Sequence, residues 1–105
     1  MSSAVAPERG GDSYAATPWA AYAKEIGLAI QRRRRQLTLT QVDVASSANV
    51  TRSFYQQIEA GRLTSGDPAN PSIWVLVSIA QALDTTVDVL LPDGWLIDPA
   101  ERRAS

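Results

Sequence analysis

Two short helical patterns joined by a tight turn, Thr40–Gly61 (TQVDVASSANVTRSFYQQIEAG), constrain this chain more than any other feature of it. Thr40 predicts the first helix start, because its hydroxyl is placed to accept from the Asp43 N–H. Asp43 in turn stands where a capping-box carboxylate belongs. Val44 and Ala45 follow on the inward face. The turn Ser46-Ser47-Ala48-Asn49-Val50 carries Asn49, after glycine the residue that best tolerates a left-handed backbone. Val50 is an apolar plug ahead of the next cap, Thr51. From there Tyr55 and Ile58 share one helical face, and Arg52, Ser53, Gln56 and Gln57 share the opposite one. Arg and Gln make bidentate hydrogen bonds to guanine and adenine edges in the major groove. A helix with core on one side and Arg, Ser, Gln, Gln on the other is shaped to enter double-stranded DNA.

The charge distribution agrees once it is mapped along the chain. The formal net charge is −1 with an acidic pI of about 5.2, unpromising for a partner of phosphates. From Lys24 to Arg62, however, seven basic residues face three acidic ones, a local balance of +4. From Leu63 to Asp98 the only charges are five aspartates. The positive half holds the two-helix pattern, as phosphate attraction requires. The chain has no Cys and no His. It therefore lacks a disulfide frame, a Cys-based zinc site, the usual general base and the commonest metal ligand. The expectation is a protein that is not an enzyme and needs no metal or cofactor. No signal-peptide pattern opens the sequence and no apolar run approaches a membrane span, so a cytoplasmic protein without membrane attachment is expected.

Around this pattern the sequence predicts an all-α fold of five helices. Residues 1–16 are small and polar, carry little to bury and read as a disordered arm. Thr17-Pro18 supplies a cap and a first-turn proline. The helix after it, with Trp19, Tyr22, Ile26, Ile30 and Leu37 near a 3.6 period, runs to about Gln36. Gly61 stops the third helix. Leu63–Asn70 is rich in turn formers and reads as a loop. A fourth helix, about Pro71 to Leu83, is expected to bury Ile73, Leu76, Ile79, Ala80 and Leu83. A short fifth, Thr86 to Leu91, is capped by Thr85 or Thr86 and stopped by Pro92. The domain thus spans 17–92, and a tail over 93–105 carries Trp95, Leu96 and Ile97.

From Ile26 to Leu91 the chain resembles the phage-repressor and Cro-like helix-turn-helix domains of the xenobiotic-response-element (XRE) family. The resemblance rests on Ile26-Gly27, Ile30 and Arg34, on Leu39-Thr40-Gln41 and Val44-Ala45, and on Val50-Thr51 and Ile58-Glu59-Ala60-Gly61-Arg62. It continues through Pro71-Ser72-Ile73, Leu76, Ile79-Ala80, Ala82-Leu83, Val87-Asp88 and Leu90-Leu91. It implies a lambda-repressor-like fold with a longer first helix, and a sequence-specific transcriptional regulator that binds a palindromic operator as a homodimer. By the same resemblance Arg52, Ser53, Gln56 and Gln57 read bases. Gln41, Thr51 and Arg62 hold the DNA backbone, and Arg34 and Glu59 form an internal salt bridge. Three positions depart from the family pattern. Asn49 replaces a usual Gly; Arg33 stands where an apolar residue is normal, its stem laid along the surface with Leu37 filling the space; and the Gly61–Pro71 connection is longer than usual.

Each assignment has a plainer alternative. On an isolated helix, Arg52, Gln56 and Gln57 would read as a solvated face, and Ser53 has local reasons to sit near a helix start. Phe54 suits a thymine methyl or a place against the second helix equally well. Successive arginines fan by about 100° around the axis, so at most two of Arg32–Arg35 face one phosphate strand; Arg32 and Arg35 are the expected backbone contacts. Trp19, Tyr22, Trp74 and Trp95 either pack within the chain or form a surface for a protein partner, most simply a second copy. The main alternative function is an antitoxin that binds its own operator and a toxin.

Overall fold

The computed structural model describes residues 18–93. Expectations for the arm 1–16, the Thr17 cap and the tail from Gly94, with Trp95, Leu96 and Ile97, fall outside the described residues. Five helices follow one another: α1 (Pro18–Gln36), α2 (Gln41–Ala48), α3 (Arg52–Ala60), α4 (Ile73–Ala82) and α5 (Val87–Leu90). Their ends show the local chemistry read from sequence. Thr40 Oγ1 accepts from the Asp43 N–H at 3.0 Å and Asp43 Oδ2 accepts from the Thr40 N–H at 2.9 Å, a complete capping box. The bond from the Thr40 N–H, and after it the nearby Thr40 hydroxyl, hold the Asp43 carboxyl below its ordinary pKa. Asn49 takes the left-handed conformation at φ 59°, ψ 44°, ending α2. Thr51 Oγ1 accepts from the Phe54 N–H at 3.1 Å, and Gly61 at φ 78° ends α3.

Two boundaries differ from expectation. Ser72 caps α4 by accepting from the Val75 N–H, so the helix begins at Ile73 and not at Pro71. Thr86 precedes α5 but makes no side-chain capping bond.

The apolar faces converge on one core of Ile26 and Ile30 from α1, Val44 and Ala45 from α2, Tyr55 and Ile58 from α3, Leu76 and Ile79 from α4, and Leu83 and Leu90 beyond it. Burying each large aliphatic or aromatic side chain contributes about 1.5–3 kcal/mol. Helix α1 lies against α3, α2 against both α3 and α4, and α5 closes over α4 and α1. The α1–α3 crossing is close because Gly27 has no side chain. A Cβ there would sit 2.3 Å from Glu59 O and 2.6 Å from Ile58 O, inside the α3 backbone. The crossing thus sets how far α3 stands off the body of the domain.

Two side chains depart from the sequence reading. Ile73, expected in the core, is 72% exposed. It is the first residue of α4, so its side chain projects from the helix end, ahead of the turn that packs on α2. Arg33 does more than lay its stem along the surface. Its Nε donates to Leu83 O at 2.9 Å and its Nη2 to Asp84 O at 3.0 Å, closing the C-terminal carbonyls of α4. The position is polar here because a helix end lies opposite it.

The Gly61–Pro71 connection folds on itself. The Leu63 N–H donates to Asp67 O at 2.7 Å, the Gly66 N–H to Leu63 O at 2.9 Å, and Arg62 bridges to Pro68. It forms a small self-bonded projection at the end of α3.

Candidate nucleic-acid interface

The outer face of α3 is made by default from what the core does not take. Tyr55, Ile58 and Glu59 are buried, which leaves Arg52, Ser53 and Gln56 exposed and Gln57 half-buried at the margin. Phe54 is half-buried and packs against the core cluster, away from the outward set. Thr51 is exposed at the helix start. Its oxygen accepts from Phe54, leaving the hydroxyl proton available to an acceptor outside the protein.

Beside this face runs a groove of about 460 Å³. Ser53, Gln56 and Gln57 line one wall, and Arg62, Thr64 and Ser65 of the projecting loop line the other. The backbone places Arg62 there, since its N–H donates to Gln57 O at 3.2 Å as the chain leaves the helix. Arg32 and Arg35 are exposed near the C-terminal end of α1, with no side-chain hydrogen bond among the described residues. They are not drawn into the groove.

Under the α3 face lies a polar cluster built around Glu59. Its Oε2 accepts from Arg34 Nε at 2.6 Å and from the Tyr55 hydroxyl at 2.5 Å. Its Oε1 accepts from Arg34 Nη2 and Gln41 Nε2, both at 3.1 Å. Four donors fill the acceptor capacity of one carboxylate. Arg34 also donates from Nη1 to Leu39 O at 3.0 Å, fixing the chain between α1 and α2. Burial pushes the Glu59 carboxyl up, but the bonds from Arg34, Tyr55 and Gln41, with the Arg34 charge, outweigh it and hold the group below its ordinary value. The bond to Glu59 raises Arg34 despite its desolvation. Burial, then the neighbouring carboxylate, raises the Tyr55 hydroxyl far out of the physiological range, so it remains a donor.

Gln41 connects this cluster to the surface. One N–H of its amide donates to Glu59, and its Oε1 accepts from Gln56 Nε2 at 3.1 Å. The chain Arg34–Glu59–Gln41–Gln56 therefore links α1, α2 and the outer face of α3. Two parts of it escape a reading of the sequence. Tyr55 reads as core, although its place four residues before Glu59 on one helix is a signal that the two side chains meet. The Gln41–Gln56 bond joins residues 15 positions apart, and nothing local announces it.

Among the described residues no helix is long and apolar enough to cross a membrane, and no cluster of acidic residues could hold a metal ion. Trp19 stacks on Tyr22 at 5.5 Å between ring centroids, and both are half-buried. Trp74 is 78% exposed beside a groove of about 560 Å³ between the α2–α3 turn and α4.

Comparison with known proteins places this geometry. A family model described as "Helix-turn-helix" matches residues 30–90. An immunity repressor protein of Bacillus phage phi105 is 35% identical over 72 residues, covering 69% of this chain and 46% of the repressor. The chain therefore spans about half the length of that curated relative. The crystal structure of the restriction-modification controller protein C.AhdI from Aeromonas hydrophila matches with a TM-score of 0.60 at 24% identity, covering 68% of this chain and 98% of that one. At that identity the match speaks for the fold. Regulators, not enzymes, carry these names. With the family model covering more than half of the sequence, the capped two-helix unit inside it and the five-helix fold around it, the chain belongs to the helix-turn-helix family, XRE type, of DNA-binding transcription regulators.

Proposed function

We propose that this protein is a sequence-specific transcriptional regulator that inserts α3 into the major groove. The observation that carries the reading is the division of α3 itself: Tyr55, Ile58 and Glu59 are buried while Arg52, Ser53 and Gln56 stand clear of the fold. Arg52, Ser53, Gln56 and Gln57 read base edges. Gln41, Thr51 and Arg62 hold the backbone on the two sides of the helix, and Arg32 and Arg35 add longer-range contacts to phosphate. The Arg34–Glu59 pair is structural. A single copy reads one half-site, and two-fold symmetry places a second copy one helical turn away on a palindromic operator. Exposure of Ile73 and Trp74 supports a homodimer, and similarity to a phage repressor supports a regulator acting on DNA in the cytoplasm.

Selection of bound sites from random DNA tests the whole reading, since it returns sequence preference, half-site spacing and symmetry together. Arg52→Ala is expected to weaken specific binding by about 1–3 kcal/mol and to relax preference at one base pair. An equal loss on specific and scrambled DNA would remove Arg52 from the base-reading set.

A further inference from the structure

We propose that Lys24 and Arg62 form a phosphate site: a cleft between the N-terminal half of α1 and the loop after α3 that seats one backbone phosphate of the DNA strand running beside α3. This inference rests on the proposed entry of α3 into the major groove.

The site follows from the way α1 crosses α3. Ala20, Lys24 and Gly27 recur at helical spacing and share one side of α1. Gly27 meets the Ile58 and Glu59 carbonyls, and one turn earlier Lys24 meets Gly61: a Cβ on Gly61 would stand 2.7 Å from Lys24 Cα. The two backbones therefore touch where α3 ends, and Arg62 leaves that point as the next residue. There a cleft of about 360 Å³ is lined by Lys24 and Arg62 and otherwise by small residues, Ala20, Ala60, Gly61 and Pro68 among them. Small residues leave the backbone open to close approach by a ligand. Lys24 precedes the family match, which begins at residue 30. Arg62 and Pro68 belong to the connection that is longer than the family pattern. The cleft is thus made where two additions of this chain meet.

Charge and position select the ligand. Lys24 and Arg62 are exposed, and their side chains form no hydrogen bond or ion pair among the described residues. Glu25 follows Lys24 but projects about 100° away around the helix axis. Asp67 is half-buried and accepts from Ser65 Oγ at 3.2 Å. Neither acid lines the cleft, and two cations with no carboxylate between them favour an anion. Arg62 and Gly66 line both this cleft and the groove beside Ser53, Gln56 and Gln57, so the loop is a ridge with one hollow on each side. With α3 in the major groove, the bordering phosphate strand passes along that ridge. Arg62 reaches a phosphate from the loop, and Lys24 closes on the same group from α1.

The test measures binding of the full chain, Lys24→Gln, Arg62→Gln and the double variant to an operator selected from random DNA, over a range of salt. Lys24→Gln is expected to weaken binding by the same factor on the operator and on its single-base-pair variants. In the double variant the slope of log affinity against log salt is expected to shrink by about 0.9 or more, the share of one phosphate. Operators carrying one neutral methylphosphonate at a time then locate the contact. At a single position the substitution is expected to cost the wild type most, each single variant less and the double variant nothing. An unchanged slope in the double variant, or different phosphates coupled to Lys24 and to Arg62, overturns the proposal. So does a change of preference at one base pair in Lys24→Gln. A lower melting temperature for Lys24→Gln with DNA binding intact also overturns it, leaving Lys24 as a counter-charge to the negative end of the α3 dipole. Lys24 is exposed, so Lys24→Gln keeps the fold. A wild-type chain with no base preference at any position overturns the major-groove reading itself, whereas failure of the cleft alone leaves that preference in place.

Discussion

Replacing Arg34 by Met strips three donors from the interior at once. Glu59 loses the 2.6 Å and 3.1 Å bonds to its two oxygens, and Leu39 O loses its partner at 3.0 Å. Tyr55 and Gln41 still donate, but the counter-charge is gone from a carboxylate whose side chain is 2% exposed, where the Arg34 side chain was itself only 12% exposed. Solvent screening is therefore weak. A buried charge left uncompensated costs about 3–5 kcal/mol, against about 0–1 kcal/mol for an exposed pair. The larger figure is a substantial part of the total stability of a small domain, about 5–15 kcal/mol.

The sign of the pH dependence follows from the direction of the shift. In the wild type the Glu59 carboxyl is held below its unfolded value near 4.5, so its stabilisation is fully present above that value. It is lost as pH falls through the lower, folded one. In Arg34→Met burial acts with less opposition and the folded value rises. The variant then suffers most at pH 7, and its deficit shrinks as acid protonates the carboxyl. Urea denaturation followed by far-UV circular dichroism at pH 7 and pH 4 measures both quantities. Arg34→Met combined with Glu59→Gln, which removes the stranded charge, is expected to be more stable than Arg34→Met alone at pH 7. A loss below about 1 kcal/mol at pH 7 would put the pair in the class of surface ion pairs. A deficit equal at both pH values would show that the Arg34 stem, and not its charge, supports the fold.

Two further substitutions separate scaffold from interface. Gly27→Ala drives a methyl group into the α3 backbone at Glu59 and Ile58, which cannot yield as a side-chain tip can, so a loss of about 3 kcal/mol is expected. A melting temperature within a few degrees of wild type would disprove so close a crossing. Arg33→Ala removes both bonds to the end of α4 and is expected to lower stability by about 1–2 kcal/mol, reduced by partial exposure. Its base preferences should stay unchanged in site selection, because Arg33 is engaged at the α4 end and not at α3; an altered preference would contradict that placement.

The sequence determined the parts of this protein that depend on residues a few positions apart. The Thr40 and Thr51 caps, the left-handed Asn49, the stop at Gly61 and the core side of α3 are each set within one or two helical turns, where spacing alone places the interacting groups. The outward set on α3 was legible for the same reason, as the complement of Tyr55 and Ile58. Tertiary structure decided what happens where helices meet. Arg33 finds the end of α4 fifty residues away, Ile73 is left uncovered because its helix begins there, and Gln41 joins Glu59 to Gln56. A periodic pattern gives the direction of a side chain from its own helix axis. What waits in that direction depends on how the helices cross, and at α1 and α3 that distance is set by the missing side chain of Gly27.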